Sequence, residues 1–250
     1  MHRFFLNENN VIDGEVLKIT ASDFKHISYS LRMGKGDKLI VSDGKGIDYL
    51  VEIIEIREDE LIAKILSREK NSNEAEVLVT LAQGIPKKNN MDFIIQKCTE
   101  IGVNKIIPLN TKRTIVKLSG KKLEKRLERW QKIAEEAAKQ SGRALIPEID
   151  RLYDLEDIIS LMEDYDLVLI PWEGEAEQGL SDIYNKKNDV NFKKILIIIG
   201  PEGGFAESEV NYLKKNGVIP ITLGPRILRT ETAGLVALTM VLYQSGELGG

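Results

Sequence analysis

The sequence predicts a small β-barrel domain followed by a larger α/β domain with a mostly parallel sheet. Short strands separated by glycine turns fill residues 1–70, whereas strands and helices alternate after residue 75. The polar stretch 70–74 has no periodicity, which places the boundary between a domain at 1–72 and a domain at 73–250. The run 194–199 has no polar face, as is typical of a strand covered on both sides.

The first domain is predicted from alternation of apolar and polar residues between turn signals. The turn 42–46 joins two alternating segments as in a hairpin. Apolar residues at Phe24, Ile27 and Leu31 have the spacing of one helix face. The predicted strands are 3–6, 11–19, 38–41, 49–53 and 61–66, with a short helix over 23–31.

The second domain is predicted from strands that alternate with amphipathic helices. Segment 207–215 has acids in its first turn and bases in its last, which favours a helix. Segment 231–244 is apolar nearly all round and must be buried in its own core or against a partner. The predicted strands are 77–82, 105–109, 167–170, 194–199 and 218–223, and the predicted helices are 91–101, 119–140, 155–162, 207–215 and 231–244.

Three strand ends carry loops rich in glycine and proline, at 171–173, 200–204 and 224–230. Ligands bind at the carboxyl ends of strands in open α/β sheets, so three such loops favour one pocket over three simple turns. Neither the phosphate-loop pattern nor the dinucleotide fingerprint is present in the sequence. An NTPase or a nicotinamide enzyme is therefore disfavoured, and close backbone approach to a flat, uncharged group such as adenine is favoured.

The composition excludes several classes of protein. The single cysteine, Cys98, allows no internal disulfide, and with only two histidines we expect no metal site. Cys98 has apolar neighbours at helical spacing, which predicts a core residue rather than a nucleophile. No apolar run has the length of a membrane span and no signal-peptide pattern opens the chain, so we expect a cytoplasmic protein with no membrane partner.

The charge is unevenly distributed, although the net charge is only −4. Residues 84–143 contain 15 Lys and Arg against 6 Asp and Glu, whereas residues 144–190 contain 3 against 13. Such asymmetry favours a nucleic-acid partner for the basic segment, and a solvated helix face is the alternative.

Several motifs together resemble the 16S rRNA (uracil-N3)-methyltransferases of the SPOUT superfamily, nearly from end to end. The specific blocks are 199–205 and 223–233, which contain Gly-Pro-Glu-Gly-Gly-Phe and Leu-Arg-Thr-Glu-Thr. Weaker blocks are Arg3-Phe4-Phe5, His26, Leu31-Arg32, Gly36-Asp37, 91–103, 129–137 and 140–143.

The resemblance implies an S-adenosyl-L-methionine-dependent enzyme that methylates N3 of a uridine in the 16S rRNA of the small ribosomal subunit. It also implies a SPOUT-type α/β domain with a C-terminal trefoil knot, a PUA-like barrel that assists RNA binding, and a homodimer. General experience with folds argues against threaded chains, so the knot rests on the resemblance alone.

The site residues follow from the three loops read with this resemblance. The expected cofactor-binding residues are Ile170, Pro171, Trp172, Ile199, Gly200, Pro201, Glu202, Gly203, Gly204, Leu223, Gly224, Ile227 and Leu228. The expected RNA-binding residues are Arg3, Arg32, Lys87, Arg113 and Arg143.

Removing the proton from uridine N3 leaves negative charge on O2 and O4, which a nearby cation stabilises. Arg226 and Arg229 are the catalytic candidates for that cation, with a phosphate contact or a structural tether as the alternative for Arg229. Glu231 could orient an arginine or accept the proton, or it is only a favourable acid in the first turn of a helix.

Two rival functions remain at this stage. An RNA 2′-O-methyltransferase of the same superfamily would share the pocket and differ in the acceptor atom. A non-catalytic RNA-binding protein would have a degraded glycine loop, and the loop of this sequence is complete.

Overall fold

The computed structural model describes residues 1–6, 11–186 and 192–249. The chain divides into two compact units, which are described separately. The first unit comprises Met1–Glu74 with Ala138–Ile146, and the second comprises Ala75–Ala137 with Pro147–Gly250.

The first unit is built on a six-stranded sheet with the order β1-β4-β5-β6-β3-β2. Its elements are β1 (Arg3–Phe5), β2 (Val11–Asp13), β3 (Val16–Thr20), α1 (Ala21–Lys25), a π-helical turn (His26–Ser30), β4 (Lys38–Ser42), β5 (Ile47–Ile56) and β6 (Glu60–Lys70). Strand β1 pairs with β4 in parallel, and the other pairs are antiparallel. Because β1 and β2 are the ends of this order, the closure predicted for the barrel is not among the described pairings.

The second unit alternates strands and helices, as the sequence predicts. Its elements are β7 (Leu78–Gly84), α2 (Asn90–Ile101), β8 (Lys105–Leu109), α3 (Gly120–Ser141, of which the last residues belong to the first unit), β9 (Glu148–Ile149), α4 (Leu155–Leu161), β10 (Leu167–Pro171), α5 (Leu180–Lys186), β11 (Lys194–Ile199), α6 (Glu207–Lys215), β12 (Ile219–Ile221) and α7 (Thr230–Gln244).

The sheet of the second unit is parallel throughout, in the order β12-β10-β11-β7-β8-β9. Alternate residues of β11 face opposite sides. Ile195, Ile197 and Ile199 join a core that includes residues of α2, α3, α5 and α7, whereas Leu196 and Ile198 join one that includes α4 and α6. Burial on both faces explains why β11 is a continuous apolar run, and it confirms the prediction of a covered strand.

Parallel pairing brings the carboxyl ends of all these strands to one edge of the sheet. The chain places β8 on one side of β7 and β10, β11 and β12 on the other, so β7 and β11 are where the two halves meet. Helix α7 follows β12 at the sheet margin and packs against α2, β7 and β11. The segment 222–229 therefore runs back from the margin to the middle of the sheet.

Several details differ from the sequence-based prediction, and the first is that the predicted strand 11–19 is a hairpin of β2 and β3. Strand β12 pairs only over three residues because Thr222 and Leu223 leave the sheet. Helix α5 and strand β9 were not predicted, and both are short, with 7 and 2 residues.

None of the described helices has the length and apolar character that crossing a bilayer requires.

Candidate functional site

The loops after β10, β11 and β12 line a single cavity of about 970 Å³, which we call the loop cavity. This volume lies at the upper end of the range for small-molecule sites, about 300–1,000 Å³. Twelve of the thirteen expected cofactor-binding residues line the loop cavity. The exception is Ile170, whose side chain is fully buried in the core on the side of α4 and α6.

The wall formed by residues 200–205 approaches β7 so closely that a glycine is needed there. A Cβ on Gly84 would lie 2.5 Å from the backbone nitrogen of Pro201. Gly204 has a φ of +63°, which an L-residue with a branched side chain rarely adopts. Its amide donates to the carbonyl of Pro201 at 2.8 Å, which closes the turn. These glycines let main-chain groups, rather than side chains, form this wall.

The opposite wall contains Trp172, which is half-buried at the end of β10. The Nζ atom of Lys214 lies 5.9 Å from the centre of the Trp172 indole, within cation–π distance. The backbone amide of Trp172 donates to Ile221 at 3.1 Å, which joins this wall to β12.

The three catalytic candidates, Arg226, Arg229 and Glu231, all line the loop cavity. Both arginines are exposed and Glu231 is half-buried in the first turn of α7. Within the described part of the chain, none of the three side chains makes an ion pair or hydrogen bond with another residue. Their charges are therefore available to a ligand or substrate in the cavity.

Two further loops are tied to the glycine loop after β11. The carboxylate of Glu202 accepts a hydrogen bond from the backbone amide of Lys87 at 2.7 Å. The Nη1 atom of Arg113 donates to the carbonyl of Gly203, also at 2.7 Å. Glu202 thus braces its own loop, and the basic loops after β7 and β8 are bonded to a loop that lines the loop cavity.

Comparison with known proteins supplies the family. A model described as an RNA methyltransferase domain matches residues 73–242, and one described as an RNA methyltransferase PUA domain matches residues 19–66. The chain belongs to the RNA methyltransferase family. The family predicted from the sequence motifs is thereby confirmed, as is a PUA-like N-terminal region.

Individual proteins with similar sequences match this chain along its whole length. The ribosomal RNA small subunit methyltransferase E of Bacillus subtilis is 34% identical, with 100% of this chain and 99% of that protein covered. The crystal structure of the enzyme of that name from Neisseria gonorrhoeae, bound to S-adenosylmethionine, is 30% identical with a TM-score of 0.83 and 97% coverage of both chains. A Legionella pneumophila methyltransferase structure with the same bound cofactor is 29% identical, with a TM-score of 0.82 and 96% coverage of both chains.

The five expected RNA-binding residues fall into two groups that differ in exposure. Arg32, Lys87 and Arg113 are exposed. Arg3 and Arg143 are not, because only 9% and 6% of their side-chain surfaces are accessible. RNA contact by Arg3 and Arg143 stays a prediction, and it would require both side chains to leave the carboxylates that they bind in this structure.

Both buried arginines hold the first unit together through carboxylates. Arg143 donates to Oε2 of Glu74 at 2.9 Å, and the other oxygen of Glu74 accepts the backbone amides of residues 144 and 145. Arg3 forms a two-pronged pair with Asp48, at 2.5 and 3.0 Å. Withdrawing either arginine towards a phosphate would leave a carboxylate with one partner fewer in a site that is mostly buried.

The Arg3–Asp48 pair predicts a pH-dependent stability. Burial raises the pKa of Asp48, but hydrogen bonds from Arg3, Ser42 and Asn71 outweigh it and hold the pKa below its ordinary value. A lowered carboxyl pKa contributes stability above the unfolded-state value of about 3.9, and that contribution is lost as the pH falls through the folded-state pKa. We expect Asp48→Asn to lower the free energy of unfolding by about 1–3 kcal/mol at pH 7 and by less at pH 3.

Urea unfolding of the full chain at the two pH values measures this effect. Asp13→Asn, on an exposed carboxyl of β2, is the control and should change stability little at either pH. An Asp48→Asn effect of equal size at pH 7 and pH 3 would contradict the role given to the ionised carboxylate.

The remaining sequence candidates have structural roles. Cys98 is fully buried in α2, and burial raises the pKa of its thiol well above the ordinary range, so the thiolate that a nucleophile needs is strongly disfavoured. Among the described residues, no group of three or more His, Cys, Asp or Glu side chains could hold a metal ion.

Sequence reasoning missed Gly84, which packs against the glycine loop, and the unusual backbone of Lys88. Gly84 ends a strand and gives no sign of its neighbour, because Pro201 is over a hundred positions away. Lys88 has a φ of +56°, in the left-handed region that lysine seldom adopts. No sequence pattern marks a lysine as having that backbone conformation.

Proposed function

We propose that this protein is an S-adenosylmethionine-dependent methyltransferase that modifies N3 of a uridine in the 16S rRNA of the small ribosomal subunit. The observation that carries the proposal is the loop cavity, where three glycine-containing loops after adjacent parallel strands meet two arginines that form no ion pair or hydrogen bond with any described residue. Relatives that share the name small subunit methyltransferase E along the full chain support the choice of rRNA.

The residues of the loop cavity fit the cofactor. Glycine and proline at positions 200, 201, 204 and 224 keep side chains out of the space and leave main-chain groups to receive a nucleoside. Trp172 adds an aromatic surface beside them. When bound, S-adenosylmethionine would supply a methyl group on a sulfonium: the nucleophile attacks the methyl carbon in line, and the thioether leaves.

The protein's contribution is to orient the uridine and to stabilise its N3 anion. An imide N–H loses its proton more readily when a cation lies near the carbonyl oxygens that share the resulting charge. Arg226 and Arg229 can provide that cation from the edge of the loop cavity. Glu231, two residues after Arg229, can accept the N3 proton or align the guanidinium.

Nucleoside analysis tests the proposal directly. Small-subunit rRNA, free and in assembled subunits, is incubated with the purified protein and S-adenosylmethionine, then digested and analysed by mass spectrometry. We expect one 3-methyluridine per RNA. A 2′-O-methylated nucleoside instead would identify the rival methyltransferase, and RNA binding without any methylated product would identify a non-catalytic binding protein.

The RNA path is proposed from the exposed cations around the loop cavity. Lys87 and Arg113 are bonded to Glu202 and Gly203 of the lining loop, and Lys88 follows Lys87 in the chain. Arg32 is the exposed candidate of the first unit. Lys88 is added to the sequence candidates because a left-handed lysine costs about 1–2 kcal/mol, a cost usually found at functional sites.

Lys88 permits charge and backbone strain to be separated. Lys88→Gly removes the charge and also the strain, so we expect an unchanged or higher melting temperature with weaker rRNA binding. Lys88→Ala removes the charge and keeps the strain, so it should weaken binding equally and keep a melting temperature close to wild type, at or below that of Lys88→Gly. Each loses one phosphate contact, so the slope of log affinity against log salt should fall by about 0.7–0.9.

Lys215→Ala is the matched control because α6 starts at the carboxyl edge of the sheet and ends, at Lys215, near the opposite edge. This variant removes the same charge and should leave rRNA affinity within about twofold. Wild-type affinity and salt slope in Lys88→Gly would show that Lys88 does not contact RNA.

We infer a homodimer from apolar side chains left on α2 and α7. Phe93 is 46% exposed and Tyr243 is 66% exposed on these two helices, which pack together. Ile227, in the loop before α7, is 85% exposed. Large exposed apolar groups on adjoining helices favour cover by a second copy. Sedimentation equilibrium should give twice the mass of the chain, and a monomer at micromolar concentration would refute this proposal.

We also infer that the C-terminal segment is threaded as a trefoil knot. The support is that 222–229 runs from the sheet margin back to α7, which packs on the central strands β7 and β11. A crystal structure would decide the matter, because pulling its backbone trace from both ends leaves a knot or a straight chain.

A further inference from the structure

A chain of hydrogen bonds joins three parts of the second unit behind the loop cavity. Gln83, near the end of β7, is fully buried, and its Nε2 atom donates to the hydroxyl of Thr230 at 2.9 Å. The hydroxyl of Thr230 donates in turn to the carbonyl oxygen of Gly200 at 2.5 Å. We call this chain the Gln83–Thr230–Gly200 relay.

The direction of the relay follows from counting protons. A threonine hydroxyl has one proton, and Gly200 offers only an acceptor, so Thr230 must receive its second bond from a donor. The Nε2 atom of Gln83 supplies that bond and gives its other proton to the carbonyl of Gly84 at 3.0 Å. Turning the amide around would place its oxygen against the carbonyl of Gly84, which cannot donate, and against the hydroxyl of Thr230, whose only proton goes to Gly200, so the orientation is determined.

This orientation leaves a buried acceptor unused. The Oε1 atom of Gln83 has no hydrogen-bond partner among the described residues. A Cβ on Gly234, one turn into α7, would lie 3.1 Å from that oxygen. Buried polar atoms without partners are rare and need an explanation, and an apolar residue at position 83 would avoid the cost. We explain the unused acceptor by the need for the amide of Gln83 as the donor to the Thr230 hydroxyl.

The relay ends on atoms that border the reaction site. Gly200 lines the loop cavity from the glycine loop. Thr230 is the first residue of α7 and lies between the catalytic candidates Arg229 and Glu231. A shift of the Thr230 hydroxyl would move both neighbours relative to the glycine loop, and misplacement by about 1 Å can cost a hundredfold in rate.

We propose that Gln83 and Thr230 are positioning residues, which set Arg229 and Glu231 against the glycine loop where the cofactor binds. The proposal rests on the methyl transfer proposed above. It predicts that losing the relay lowers kcat more than it weakens binding of either substrate, because the relay bonds fix the positions of Arg229 and Glu231, even though Thr230 and Gly200 also line the loop cavity.

Thr230→Val tests the proposal, since valine keeps the shape of threonine and removes the hydroxyl. We expect kcat for rRNA methylation at saturating S-adenosylmethionine to fall by about 10–100-fold. Thr230→Ser keeps the hydroxyl and should restore kcat to within about threefold of wild type. Thr239→Val is the control, because the Thr239 hydroxyl donates to the carbonyl of Leu235 within α7, and it should keep wild-type kcat.

Each result bears on the proposal. A wild-type kcat for Thr230→Val, with or without a lower melting temperature, would show that the relay is merely structural. Equal loss in Thr230→Ser and Thr230→Val would show that the hydroxyl is not responsible. If Thr230→Val does not fold, Gln83→Met removes the donor from β7 and must show the same loss of kcat, and wild-type turnover would overturn the proposal. An inactive wild-type protein would instead overturn the proposed function.

Discussion

Replacing Arg229 with alanine should lower kcat for rRNA methylation by about 10²–10³-fold, the usual cost of removing one group that stabilises a developing anion. Arg229 lines the loop cavity next to α7, and no carboxylate among the described residues neutralises it. Without this cation, the uridine N3 anion would be less accessible at neutral pH. Single-turnover rates with rRNA and saturating cofactor measure the chemical step without product release.

Two comparisons identify the role of Arg229. Arg229→Lys keeps the charge but not the planar fork, so we expect an intermediate kcat. Arg226→Ala shows which arginine carries the larger effect. If Arg229→Ala only raised the KM for rRNA and left kcat unchanged, Arg229 would be a phosphate contact rather than a catalytic residue.

Replacing Gly84 with alanine should weaken S-adenosylmethionine binding by more than about 100-fold. The new Cβ would lie 2.5 Å from the nitrogen of Pro201 and 2.8 Å from the carbonyl carbon of Gly200, and both are backbone atoms that cannot rotate away. The glycine loop must therefore move, and with it one wall of the loop cavity. Packed interiors resist such insertions at a cost of about 1–3 kcal/mol or more.

Gly203→Ala is the matched control because it adds the same methyl group to the same loop. Its Cβ would meet Arg113 at 3.4 Å, an ordinary contact, so affinity should stay within about threefold of wild type. Calorimetry measures the affinities, and circular dichroism checks that both variants fold. Wild-type affinity in Gly84→Ala would mean that the glycine loop does not form the cofactor site.

Much of the second unit could be predicted from local patterns. The bounds of α6 were predicted to the residue, because acids at one end, bases at the other and an apolar stripe all agree. Strand β12 was predicted too long because apolar character continues through Leu223, while pairing stops at Ile221. Apolar character does not distinguish a residue that pairs in a sheet from one that lines a cavity.

The contacts of the charged and polar residues could not be predicted from the sequence. Nothing in the local sequence separates Arg3 and Arg143 from the exposed cations, yet both are largely inaccessible and form ion pairs with Asp48 and Glu74. Gln83 is a polar residue in an apolar strand, a signal that was available, but its partner Thr230 is 147 positions away. Only contact in space distinguishes an arginine that can meet RNA from one that holds a fold together.

By itself the sequence determined the alternation of strands and helices, the glycine loops after three strands and the family, because each depends on residue type and short-range spacing. Tertiary structure alone decided that β11 lies between β7 and β10, and therefore which loops share a cavity. It also decided which cationic side chains are exposed and why position 84 requires glycine, whose neighbour Pro201 leaves no room for a Cβ. Those outcomes depend on atoms about 40 to 150 positions apart, as in the Arg3–Asp48, Arg113–Gly203 and Gln83–Thr230 pairs, and short-range patterns have no information about such distances.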